Sequence, residues 1–118
     1  MIVVVFEFEP DPERGARYFE LAEQLREEVE KIDGFLSVER FRSLRDSRRY
    51  VSVSFWRDME AAMRWREHLQ HRRAQLEALA RGLFRDFRIT VAEVRRQTTL
   101  TDALRRGRRQ DGGSWPEA

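Results

Sequence analysis

The chain is 118 residues long, 41% hydrophobic and 37% charged, which is enough for one domain with an economical core and a heavily charged surface. Its 23 basic residues face 21 acidic ones for a net charge of +2, the signs interleave along most of the sequence, and only "RRGRRQ" near the end is one-signed, so no nucleic-acid partner is expected. No apolar run approaches the ~20 residues of a membrane span, and the absence of cysteine excludes disulfides, thiolate metal sites and a cysteine nucleophile. A cytoplasmic protein with no membrane partner is the expectation. A first strand beginning next to Met1 would leave no room for a signal peptide.

The opening "IVVVFEFE" is β-branched and apolar, then alternates, and predicts a strand. Ile2, Val4, Phe6 and Phe8 would share one face, with Val3, Val5, Glu7 and Glu9 on the other. "PDPERG" breaks the strand. Asp11 is placed to cap a helix with Pro12 at its first position. That helix should run to about Ile32, since Tyr18, Leu21, Ala22, Leu25, Val29 and Ile32 recur at steps of three and four. Gly34 would end it in the left-handed conformation.

"FLSVERFRSL" and "YVSVSFW", joined by "RDSRR", predict a β-hairpin. Asp58 would cap a second helical region ending at Gly82, and "FRDFRITVAEVRR" alternates as a fourth strand. The order β-α-β-β-α-β defines an α+β, ferredoxin-like unit with a four-stranded antiparallel sheet over residues 1–96. Residues 97–118 form a tail: a short helix capped by Thr101, then a disordered end in which Trp115 could tie the chain down. Several strands carry large residues on both faces, as in Val3 and Val5 opposite Val4 and Phe6. A sheet apolar on both sides needs a second layer, and a symmetric partner supplies it, so a homodimer is expected.

At this point "GFLSVERFRSL", "YVSVSFWRDMEAAMRWREHLQHRRAQ" and "FRDFRITVAEV" together resemble the antibiotic biosynthesis monooxygenase domain of the dimeric α/β-barrel superfamily. The resemblance covers about residues 1 to 96. It implies two ferredoxin-like units packed sheet to sheet in a dimeric barrel. Two branches of the family use an asparagine on the first strand and a tryptophan early in the second helical region. One oxygenates aromatic, polyketide-like substrates without metal or flavin; the other binds and degrades haem through a histidine ten residues after that tryptophan. Trp65 matches the tryptophan, Gln75 occupies the histidine position, and the chain contains no asparagine, its first-strand position falling near Glu7.

The stretch "WREHLQHRRAQ" holds both histidines. On an unbroken helix Trp65, Leu69, Leu76 and Leu83 form one face; His68 lies about 60° round from Trp65 and Gln75 about 80°, with His71 near 120° and tending to solvent. A kink near Leu69 would reverse that ranking. His68 could act as a base, and Arg40 could stabilise the resulting anion, although pairing of Arg40 with Glu39 and of Arg88 with Asp86 is the simpler expectation. Phe6, Phe8, Phe41, Trp56 and Phe87 could wall an apolar pocket, with His68 and Gln75 side by side at its edge and His71 a further candidate contact. Trp65 reads equally well as core packing, and the two histidines as boundary residues. "HLQH" is too common a spacing to predict a metal site. No glycine-rich phosphate loop is present, so flavin and nicotinamide are not expected.

Three functions remain open on the sequence. One is a small cofactor-independent monooxygenase of an electron-rich aromatic or enolic molecule. The second is a haem-binding or haem-degrading protein with a non-standard ligand. The third is a non-catalytic dimeric protein that binds a small molecule on the same scaffold.

Overall fold

The computed structural model describes residues 1–109. Four strands, β1 (Ile2–Pro10), β2 (Phe35–Arg42), β3 (Tyr50–Trp56) and β4 (Phe84–Glu93), form one antiparallel sheet in the order β2-β3-β1-β4. Helix α1 (Ala16–Glu30) links β1 to β2, while α2 (Met59–Glu67) and α3 (Leu69–Ala80) link β3 to β4. The architecture is the ferredoxin-like α+β unit expected from the order of elements. The short tail helix expected after residue 96 is present as α4 (Leu100–Arg109), but its cap is Thr99 rather than Thr101: the Thr99 hydroxyl accepts from the Asp102 N–H and the Asp102 carboxylate from the Thr99 N–H. Trp115 lies outside the described residues.

The register fixes the two faces. Ile2, Val4, Phe6 and Phe8 pair across β3 with Trp56, Ser54, Ser52 and Tyr50, and across β4 with Glu93, Val91, Ile89 and Phe87. This is the helix-covered face. At one end Ile2, Val29, Trp56 and Ala61 form a core against which Val4, Ile32, Phe35 and Trp65 pack; at the other, Leu21, Ala78 and Leu83 close against Tyr18, Ala74 and Phe84. The opposite face carries Val3, Val5, Val51, Val53, Phe55 and Phe41, none of them buried.

Helix ends follow local chemistry with two departures. Gly34 and Gly82 adopt positive φ, 92° and 63°, as the ends of their helices require. Asp58 caps α2 by accepting the Ala61 N–H at 2.9 Å. Asp11 accepts the N–H groups of Glu13 and Arg14, but this caps only a turn, and α1 begins at Ala16 rather than at Pro12.

The second helical region is broken, and this is the larger departure. His68 has ψ 131°, outside helical space, and separates α2 from α3. In a continuous helix the Trp65 carbonyl would accept from the Leu69 N–H. Here it takes the His68 N–H at 3.1 Å and faces the His71 Nδ1 at 3.1 Å instead. The break resets the phase of α3, turning Ala74 and Ala78 inward and leaving Leu69 and Leu76 61% and 64% exposed. The expected stripe of Trp65, Leu69, Leu76 and Leu83 therefore does not form.

Candidate active site

The break gathers an aromatic and two imidazoles. His71 stacks on Trp65 with ring centroids 4.5 Å apart, and His68 lies 5.4 Å from the same indole. His71 is thus half-buried against Trp65 rather than turned to solvent, while Gln75, expected beside His68, is exposed on α3. Because a carbonyl oxygen can only accept, the His71 Nδ1 facing Trp65 carries the proton and its Nε2 holds the lone pair. Burial pushes the His71 pKa below its ordinary value, with the Trp65 carbonyl opposing and His68 assisting.

His68 has the opposite arrangement. Its Nε2 lies 3.6 Å from the Glu28 carboxylate on α1, both side chains being about a quarter exposed. Its Nδ1 is buried without a hydrogen-bond partner, alone in that respect among the described residues. A proton on Nε2 faces an anion, whereas a proton on Nδ1 would be a buried orphan donor costing about 1–3 kcal/mol. The proton therefore belongs on Nε2, and Nδ1 presents a free lone pair next to Trp65. Nothing in the sequence distinguishes Glu28 from its neighbours in the charged run "EQLREEVEK" except its position beside Val29, at the edge of the apolar stripe.

The remaining candidates divide among three places. Phe6 and Phe8 stack at 4.8 Å, and Phe6 meets Phe84 and Phe87 at 5.5 and 6.0 Å, so these rings share one wall on the helix-covered face. Along it Phe87, Ile89 and Val91 stay 44%, 50% and 49% exposed, an apolar edge that the helices only half cover. Trp56 is a core residue, 2% exposed, its indole N–H donating to Ser54 Oγ at 2.9 Å. Phe41 pairs with Val51 on the opposite sheet face, away from the other aromatic candidates.

Arg40 is held over the Tyr18 and Phe19 rings at 5.6 and 5.2 Å, not paired with Glu39. Burial raises the Tyr18 phenol pKa, and the Arg40 guanidinium counters it. Phe19 and Glu28 are nine residues apart on α1, about 180° round the helix. Tyr18, which Arg40 also covers, is only about 80° round from Glu28, so it is the axial separation, about 14 Å at 1.5 Å per residue, that parts Arg40 from His68 and leaves the joint role expected for them without a geometric basis. Arg88 bonds Glu7 at 2.7 Å across the strands, rather than Asp86. Two surface hollows lie away from the histidines, one on the outer side of α1 around Glu23 and Glu27, the other around Arg14, Arg17 and Arg81. The described residues contain no cluster of three or more potential metal ligands.

A ferredoxin-like sheet covered on one face by helices, with a tryptophan and two histidines at a helix break, defines a small α+β domain. The family model of antibiotic biosynthesis monooxygenases matches residues 1–76. The chain belongs to that family. It is 37% identical over 94 residues to a jasmonate monooxygenase of Pyricularia oryzae; the match takes in 80% of this chain and 43% of the fungal protein's length. Among solved structures, a candidate antibiotic biosynthesis monooxygenase from Deinococcus radiodurans superimposes with TM-score 0.74 at 15% identity, covering 85% of this chain and 98% of that one. A cofactor-independent oxygenase from Streptomyces nogalater matches with TM-score 0.68 at 16% identity, covering 81% and 94%. Rv0793 of Mycobacterium tuberculosis gives 0.71 at 19%, covering 83% and 98%. These structures share the fold.

Proposed function

We propose that the protein is a monooxygenase that uses no flavin or metal and oxygenates an enolisable phenol or related electron-rich small molecule. The observation that carries the reading is His68, whose ring lies 5.4 Å from the Trp65 indole and whose Nδ1 is enclosed without a hydrogen-bond partner. Family membership and the monooxygenase relative support the reaction class. The exposed Phe87, Ile89 and Val91 offer an apolar surface for a flat substrate.

His68 Nδ1 removes a proton from the substrate carbon alpha to the enolic group. The carbanion reduces dioxygen and combines with it to give a peroxide, which takes the proton back. Loss of the second C–H proton with hydroxide, as water, leaves a new carbonyl, so the substrate supplies all four electrons, two on forming the peroxide and two on its collapse, and CH₂ plus O₂ becomes C=O plus H₂O. Proton removal by a placed base is worth about 10²- to 10⁴-fold. Entry of substrate requires the α2–α3 joint to yield, and the chain is already interrupted there at His68. The haem branch's ligand position does not fit haem here: it holds the exposed Gln75, and the nearby His68 Nε2 faces the Glu28 carboxylate.

A homodimer belongs to the same proposal. Val3, Val5, Val51, Val53 and Phe55 form an uncovered apolar sheet face that a second copy would cover, closing a barrel.

The test is turnover of 1,8-dihydroxyanthrone under ¹⁸O₂ with no added cofactor. One labelled oxygen in the quinone product is expected, with kcat reduced at least 100-fold in His68→Ala. Undiminished turnover by that variant removes His68 as the base; no enzyme-dependent product removes the reading.

A further inference from the structure

We infer that Glu28 is the positioning residue for His68: its carboxylate holds the imidazole with the proton on Nε2, so that Nδ1 is the basic atom. The inference rests on the reading of His68 as the base. It concerns a residue on α1, a different element from the one that carries the histidines.

Three observations converge on it. The Glu28 carboxylate divides its oxygens, Oε2 lying 3.6 Å from His68 Nε2 and Oε1 lying 3.4 Å from the Lys31 ammonium. Lys31, on the solvent side one turn on, thus occupies the oxygen that His68 does not meet. The ring's other nitrogen is enclosed and unpartnered, so only the Nε2-protonated form meets a partner. The third is backbone geometry. The non-helical ψ of 131° at His68 releases this residue from the α2 helical path at the junction facing α1. A continuous helix would have kept His68 in the regular phase of the surface helix.

The consequence is chemical. When Nδ1 takes a proton, the imidazolium forms against a carboxylate already in place, which stabilises the charge without reorganisation. The 3.6 Å separation is slightly longer than a hydrogen bond, and such contacts shorten in substrate complexes. His71 is oriented instead by the Trp65 carbonyl, which holds its Nδ1 proton and leaves Nε2 as its basic atom. Two imidazoles on one indole therefore carry their protons on different nitrogens, each chosen by its own partner.

The experiment compares wild type, Glu28→Ala, Glu28→Gln and His68→Ala. ¹⁵N NMR of the full chain reads the His68 tautomer, and anthrone oxidation gives kcat and KM. Glu28→Ala should mix the two tautomers and lower kcat roughly 10- to 100-fold with KM unchanged, the usual scale for losing the partner that orients a working histidine. Glu28→Gln keeps an acceptor for Nε2–H, so it should retain the tautomer and recover part of kcat. An unchanged tautomer and unchanged kcat in Glu28→Ala overturns the inference. Full turnover in His68→Ala overturns it by a separate route, through the base assignment, whatever the NMR of the Glu28 variants shows.

Discussion

Gly34 sits where β2 starts, and it should not tolerate a side chain. Its φ of 92° is a left-handed conformation, and a Cβ there would lie 2.6 Å from the Cβ of Ala61, a fully buried residue of α2. The Gly34 carbonyl also accepts the Arg57 N–H at 2.7 Å, so the backbone cannot drift away without losing that bond. Left-handed φ costs a residue with Cβ about 1–2 kcal/mol, and overpacking a filled site about 1–3 kcal/mol. Gly34→Ala should therefore destabilise by about 2–5 kcal/mol, lowering Tm by roughly 10–20 °C for a domain of this size. Urea unfolding followed by fluorescence of the buried Trp56 measures it. Repeating the substitution in an Ala61→Gly background removes the clash but not the φ penalty, so the cost should shrink to about 1–2 kcal/mol. A cost below about 1 kcal/mol, or one identical in both backgrounds, would refute the close approach of β2 and α2.

His71 predicts a pH dependence of stability. Its folded pKa lies below the unfolded value, so between the two the unfolded chain binds more protons; the contribution is complete above the unfolded value of 6.5 and lost as pH falls through the folded one. Tm should drop from pH 7 to pH 5, and His71→Gln should flatten that limb; an identical slope in the variant would discount burial of the imidazole. Val53, between Val5 and Glu39 on the open sheet face, tests the dimer. Val53→Glu would bury two symmetry-related carboxylates and should weaken association at least ~100-fold, seen by sedimentation as monomer where the wild type is dimeric. A wild type that sediments as a monomer at all concentrations, or a variant as dimeric as the wild type, counts against the barrel.

The element order was legible because each element carries its own period: alternation in β1 and β4, three-and-four spacing in α1, and glycines at 34 and 82 where a left-handed residue ends a helix. Trp65 and the histidines stood out for the same local reason, being rare residues close in sequence. Periodicity could not reveal the break at His68, since the Trp65 carbonyl exchanges a helical partner for the His71 ring, a choice made among side chains already folded together. That exchange reversed the fates of Leu69, Leu76 and His71. Nor could spacing pair Glu28 with His68, or set Arg40 and His68 at opposite ends of α1, because those relations arise only when α1 is laid on the sheet. The sequence by itself determined which segments are strands and helices and which face of β1 is apolar; the tertiary structure alone decided the partners of each imidazole, because a proton's place depends on atoms brought close from distant parts of the chain.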